Sequence, residues 1–301
     1  MMRVPIRSFL APALPPARLA VLRALVYLFA IVHTQRIAND PLAHADVPAS
    51  LYTPTLLREW AHLPAAGPVY MQVLQVVLVA SALVAATGRL PRLAGWVCFL
   101  AVLDWQTNNF AYGKVDHDFF ALMVALAVLP TVGRASWRAW HPDDGDERVG
   151  WALRAVQMAV VASYFLAALA KFRYGGFGWA NGATFSWAFS RRGSDLALEL
   201  AAIPGFLRVG QWVVLLAELA SPAMLWLRGG WIWLVVGFWV SFHVVTYVVI
   251  GIHFMALAVC LVAFLPVERL GELVPAARRR RAGADSRQQP RQELGQASAT
   301  R

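Results

Sequence analysis

The sequence predicts an all-α, polytopic membrane bundle of about eight transmembrane helices, with amphipathic helices lying on the membrane surface in two external loops. Three observations carry that expectation. Hydrophobic residues make up 59% and charged residues only 15% of the 301-residue chain, at a mean hydropathy of +0.53, a combination foreign to soluble domains. The apolar residues gather into runs close to the ~20 that cross a hydrocarbon core. Thirteen tryptophans, within an aromatic share of 12%, fit rings placed at two membrane–water boundaries.

In chain order the predicted spans cover about 19–37, 68–87, 94–112, 117–132, 151–172, 205–227, 231–250 and 252–267. The first follows a basic segment, 1–18, and its length marks an uncleaved anchor rather than a signal peptide. The third carries polar residues near its end, and the fourth is short. The loop 38–67 contains the amphipathic piece "TPTLLREWAHL", and the loop 173–204 contains "GATFSWAFS" and "SDLALELAAI". Both loops are expected to lie along the outer surface and roof the bundle. Residues 19–267 thus form one transmembrane domain, without an internal repeat. Segment 268–301 combines an arginine run, Arg278 to Arg281, with Gln, Ser, Ala and Pro, and it is expected to be a disordered tail.

Charge orients the spans. Arg3, Arg7 and Arg18 precede the first; Arg89 and Arg92 join two and three; Arg134, Arg138 and Arg148 join four and five; Arg228 joins six and seven. With the basic tail, all fall on one side, which the positive-inside rule assigns to the cytoplasm together with both termini. The net charge of +10 therefore points to membrane lipids as partners and not to nucleic acid. The Ala- and Arg-rich composition fits a bacterium with GC-rich DNA, and so the inner membrane. Cys98 and Cys260 each sit in an apolar run, far from any CxxC spacing, and read as small packed hydrophobes.

The polar residues within the spans share one half of the bilayer. His33, Arg36, Asp104, Gln106, Asn108, Asn109, Asp116, His117, Asp118, Lys171 and His253 all fall near outer ends, with His243 deeper and Glu218 deeper still. An outward-opening polar cavity explains them together. Gln157, Tyr164 and Lys171 recur every seven residues and share one helix face, expected to look inward. Bland readings stand beside these. Lys171 reads equally as an interfacial anchor whose amine snorkels to water. Asp116 and His117 read as residues that satisfy a helix start, and Glu218 with His243 as a buried hydrogen-bonded pair that only organises the bundle. No HxxxH, HExxH, GxSxG, phosphate loop or dinucleotide fingerprint is present in a fitting context, so no metal is expected.

Two stretches, "YFLAALAKFRYGGFGWANGATFSW" and "NNFAYGKVDHDFFALMVALAVLP", resemble the membrane region of vitamin K-dependent gamma-carboxylase and its bacterial relatives, the horizontally transferred transmembrane (HTTM) family. The family pattern of a helix ending in Gly/Ala, a hydrophobic residue, Lys and Leu/Phe, then Trp and Gly, matches Ala168 to Phe172, Trp179 and Gly182. Asn or Asp followed by His and aromatics matches Asp116, His117, Phe119 and Phe120. The first and last spans are also similar, so the resemblance covers about 18–267.

The resemblance implies a reduced quinone of the vitamin K hydroquinone type, with O2 and, for carboxylation, CO2 as co-substrates. It implies that Lys171 deprotonates the hydroquinone and that His117 serves the carboxylation step. Tyr164, Trp179, Asn109, His243 and Glu218 are the residues expected to line the quinol site. The eukaryotic enzyme has a large lumenal region after its membrane part, and only a short basic tail stands here, so quinol oxidation is expected ahead of glutamate carboxylation. A transporter or small-molecule binding protein using the same cavity, or a non-catalytic membrane scaffold, is the alternative.

Overall fold

A computed structural model describes residues 6–37 and 41–269. The expected basic tail, apart from Glu268 and Arg269, lies outside the described residues, as do Arg3 and the arginine run. The described chain is helical, with no strand beyond a single bridge between Leu14 and Asp146. Its α-helices are α1 (Ile6–Leu10), α2 (Pro16–Val32), α3 (Pro41–His44), α4 (Leu56–Trp60), α5 (Pro68–Ala86), α6 (Leu93–Phe110) and α7 (Phe119–Val132). They continue with α8 (Glu147–Gly175), α9 (Ala183–Arg192), α10 (Asp195–Ala201), α11 (Phe206–Ala220), α12 (Gly230–Ile250) and α13 (Met255–Cys260).

Local chemistry sets several of these boundaries. Pro16 and Pro68 open α2 and α5, where a missing N–H costs nothing and a fixed φ suits the first turn. Asp146 caps α8 by accepting from the Arg148 backbone N–H at 2.8 Å. Gly150, one turn on, lets the chain at Pro12 lie against α8: a Cβ there would meet the Pro12 carbonyl oxygen at 1.6 Å. Gly205, at φ 78°, opens α11 in the left-handed region that side chains avoid. The turn it makes sets α10 at 99° to the helix that follows. The amphipathic piece "SDLALELAAI" therefore lies across the end of the bundle.

Among the described residues, four helices are long and apolar enough to cross a membrane: Pro16–Ile37, Pro68–Ala86, Glu147–Ala180 and Gly230–Ile250. The bent pair Asp195–Ala201 and Phe206–Leu225 raises this to five if it counts as one span. Eight helices do form where eight spans were expected, but several fall short of that standard. The 14 residues of α7 reach only about 21 Å at 1.5 Å per residue, and Met255–Phe264 is shorter still. In α6 the final turns carry Asp104, Gln106, Asn108 and Asn109, which lower its apolar content.

The core is shared by α2, α7 and α8, with Leu19, Leu22, Val26, Leu122, Leu126, Leu153 and Val156 buried in one cluster. Outward faces are also apolar. Val73, Val76 and Leu83 on α5 and Leu234, Val244 and Val248 on α12 are all exposed. In water each would forgo roughly 1.5–3 kcal/mol of burial, whereas hydrocarbon contact removes that cost. This surface, with the long apolar helices, supports an integral membrane protein.

Candidate functional site

The 29 residues of α8 form the spine of the site. On the face set by the seven-residue spacing, each polar side chain reaches a different neighbour. The Gln157 amide donates to the Ala263 carbonyl at 2.8 Å. The Tyr164 hydroxyl pairs with His243 Nε2 on α12 at 2.8 Å. Lys171 Nζ donates to both carboxylate oxygens of Glu218 on α11. The expected pair of Glu218 with His243 is not formed. Glu218 takes the lysine and His243 takes the tyrosine, because α11 packs against the last turns of α8 while α12 brings His243 one or two turns lower.

The lysine pair is half-sheltered, with side-chain exposures of 22% for Lys171 and 8% for Glu218. After α8 the chain makes a tight helical turn, Gly176–Ala180, which folds Trp179 back so that Lys171 Nζ stands 5.0 Å from its ring centroid. That turn is fixed in part by Gln211, whose amide donates to the Trp179 carbonyl at 2.8 Å. Ala168, Ala180 and Leu215, packed by Phe172, Trp212 and Leu219, form a small apolar cluster beside the pair. A lysine and a glutamate in contact hold one proton between two bases, and the neutral total is what lets them sit away from water.

Tyr164 stacks on Trp239 with ring centroids 3.7 Å apart and planes at 14°. Its hydroxyl bonds to His243 alone among the described residues, so the Tyr164–His243 and Lys171–Glu218 pairs are separate along the same face of α8. His117 lies at the same end, before α7, and reaches solvent. Desolvation and the charges of Lys114 and, more weakly, Lys171 push its imidazole below the ordinary histidine value, with Asp116 opposing. His117 is therefore coupled to Lys171 through space and not by a bond. Next to it, burial and the Asp116 charge push the Asp118 carboxyl up to about 6. Asn109 forms no hydrogen bond with the lysine pair, and its Oδ1 is buried without a partner among the described residues.

Asn109 is one of several such atoms. His33 Nδ1 and Nε2, Trp105 Nε1, Gln106 Oε1, both amide atoms of Asn108, His243 Nδ1 and His253 Nδ1 are likewise buried with no hydrogen bond. Buried polar groups left unpaired are costly. His33 also stacks edge-on against Phe119 at 4.5 Å and faces His253 at 6.4 Å. Trp212 and Trp239 are the residues here that the sequence did not single out. They are apolar on apolar helices, and only tertiary packing distinguishes them.

A separate polar clamp ties the first long loop to the bundle. Arg58 of α4 is buried, pairs with Asp104 of α6, and donates to the Tyr52 hydroxyl at 2.8 Å and the Pro64 carbonyl at 3.0 Å. Tyr70 also donates to Asp104. Asp104 is thereby occupied in structure, away from the lysine pair. Among the described residues no group of three or more His, Cys, Asp and Glu side chains is placed to hold a metal ion. Comparison with known proteins gives no match to a family model, a curated protein or a solved structure.

Proposed function

We propose that this chain is a bacterial inner-membrane enzyme of the HTTM type, with eight membrane helices and both termini in the cytoplasm, that takes a proton from a lipid-soluble hydroquinone at its outer end. The observation that carries this reading is the Lys171–Glu218 pair, set beneath Trp179 and joined electrostatically to His117. The resemblance of the Lys171 and His117 stretches to the gamma-carboxylase membrane region supports the choice of substrate.

The residues fit a hydroquinone. Its flat apolar ring matches the aromatic walls at Trp179 and Phe172, and its hydroxyls match the unpaired polar atoms of this half of the bundle. The hydroquinone supplies the electrons that reduce O2. The protein supplies the base: with the one shared proton shifted to Glu218, the free Lys171 amine accepts a hydroxyl proton and the pair goes from neutral to singly positive, next to the anion left behind. Trp179 and the apolar cluster keep water from taking that proton instead. His117 stands at the mouth as a second acid/base, and CO2 is a co-substrate only if carboxylation is retained.

The second reading keeps the same geometry and drops the chemistry. Both oxygens of Glu218 are engaged by Lys171, as a clamp between α8 and α11 would require, and that suits a binding protein, transporter or scaffold. Vitamin K hydroquinone and O2 supplied to purified protein in nanodiscs separate the two. Epoxide formed by wild type and lost in Lys171→Ala is expected; no epoxide from folded wild type across several quinols leaves the clamp.

A further inference from the structure

At the other end of α8 lies a cavity of 390 Å3, enclosed by the starts of α2 and α8, the connection between α11 and α12, and the chain after α13. Arg18, Arg154, Arg228 and Arg269 line it, and Glu268 is the one carboxylate among the described lining residues. Two of these arginines are buried, Arg18 at 9% and Arg154 at 7% exposure.

Their hydrogen bonds fix them in place without using them up. Arg18 donates through Nε and Nη2 to the Leu265 and Phe264 carbonyls at 2.8 and 3.3 Å. Arg154 donates through Nε and Nη1 to the Phe9 and Leu225 carbonyls at 2.9 and 3.3 Å. A guanidinium has five N–H donors, and Arg18 Nη1 and Arg154 Nη2 make no hydrogen bond among the described residues. The charges are close enough to repel: Arg18 feels Arg228 and Arg269, and Arg154 feels Arg228 and Arg18. Against them stands one carboxylate, Glu268, whose Oε2 forms an ion pair with Arg18 Nε at 3.6 Å. Packing thus holds several cations around one space with too little negative charge to offset them.

An oxyanion with several acceptor oxygens is the ligand that planar guanidinium forks match. The depth fits a membrane surface, since Phe9 and Trp226 stack at 5.6 Å beside the cavity and Trp226 is exposed. This is also the side that the arginine distribution assigns to the cytoplasm, where basic pockets between helices take phosphate headgroups. We propose that this cavity binds a phosphate group, carried by an anionic phospholipid or present as free inorganic phosphate. The site is independent of the chemistry at Lys171.

The test uses the full chain and the double variant Arg228→Gln, Arg269→Gln. Both side chains are exposed, and Arg228 bonds only to carbonyls of its own turn, so the fold is kept; circular dichroism checks this. In the first arm, protein from bilayers of equal phosphatidylglycerol and phosphatidylcholine is examined by native mass spectrometry. In the second, lipid-free protein in neutral detergent is melted with inorganic phosphate or with chloride at matched ionic strength. Selective retention of phosphatidylglycerol, weakened about tenfold in the variant, identifies the lipid source. Stabilisation by phosphate alone, with a midpoint raised about tenfold in the variant, identifies the free anion. Binding of neither ligand by wild type, or equal binding by wild type and variant, overturns the proposal.

Discussion

Removing the Lys171 amine leaves the Glu218 carboxylate, 8% exposed, without its counter-charge. Breaking a buried pair in this way costs about 3–5 kcal/mol, and the 22% exposure of Lys171 places the cost near 3 kcal/mol. Loss of the cation over the Trp179 ring adds about 0.5–1 kcal/mol. Lys171→Met is therefore expected to destabilise by about 3–4 kcal/mol, and Glu218→Leu by somewhat less, because a freed lysine can extend to water. The double replacement restores neutrality and should cost about 1 kcal/mol; with about 2–3 kcal/mol for Glu218→Leu alone, the interaction energy is about 4–6 kcal/mol. Unfolding in mixed micelles by sodium dodecyl sulfate, followed by tryptophan fluorescence, measures all of these. Additive single effects, each below ~1 kcal/mol, would show a lysine that merely snorkels and would refute the reasoning. Lys171→Arg separates stability from chemistry. A guanidinium keeps the ion pair but does not give up its proton near neutral pH. Stability should stay within ~1 kcal/mol of wild type while hydroquinone turnover falls at least ~100-fold.

Three further outcomes follow from the surrounding residues. Asp118 binds its proton more tightly in the folded chain, at about 6 against an ordinary 3.8. Its contribution to stability is thus fully present below about pH 4 and is lost as pH rises through about 6; Asp118→Asn should remove that part of the slope and raise stability at pH 8 by up to about 2–3 kcal/mol, read from unfolding curves at each pH. Tyr164→Phe keeps the stack on Trp239 but leaves His243 with neither ring nitrogen bonded, which should cost about 1–2 kcal/mol in the same unfolding assay. Arg58→Met leaves Asp104 with the Tyr70 hydroxyl but no counter-charge and frees the Tyr52 and Pro64 contacts; loss of about 3 kcal/mol is expected, with faster proteolysis of the loop 41–67 as an independent readout.

Much of the helix layout was legible because a hydrocarbon-facing helix leaves a long apolar run. The helices near 68–87, 94–112, 205–227 and 231–250 appear at Pro68–Ala86, Leu93–Phe110, Phe206–Leu225 and Gly230–Ile250. The seven-residue repeat of Gln157, Tyr164 and Lys171 was legible too, since spacing on one helix depends only on its pitch. Partners across helices were not. Glu218 meets Lys171 instead of His243 because the turn at Gly205 and the packing of α11 set its height against α8. Asp104 looked like part of the outer polar stripe, and the arginine that occupies it lies 46 residues away in a loop helix. The cavity at the Arg228 end was hidden for the same reason: Arg18 and Arg228 read singly as positive-inside charges, and only the fold gathers them with Arg154 and Arg269.

The most direct measurement is epoxide formation from vitamin K hydroquinone and O2 by purified protein in nanodiscs, with wild type, Lys171→Ala and Lys171→Arg compared at equal folded fraction. Turnover in wild type and its loss in both variants, the arginine form included, is the expected result. Wild-type protein that is folded and inactive with every quinol supplied, or an arginine variant as active as wild type, would contradict the assignment of Lys171 as the base.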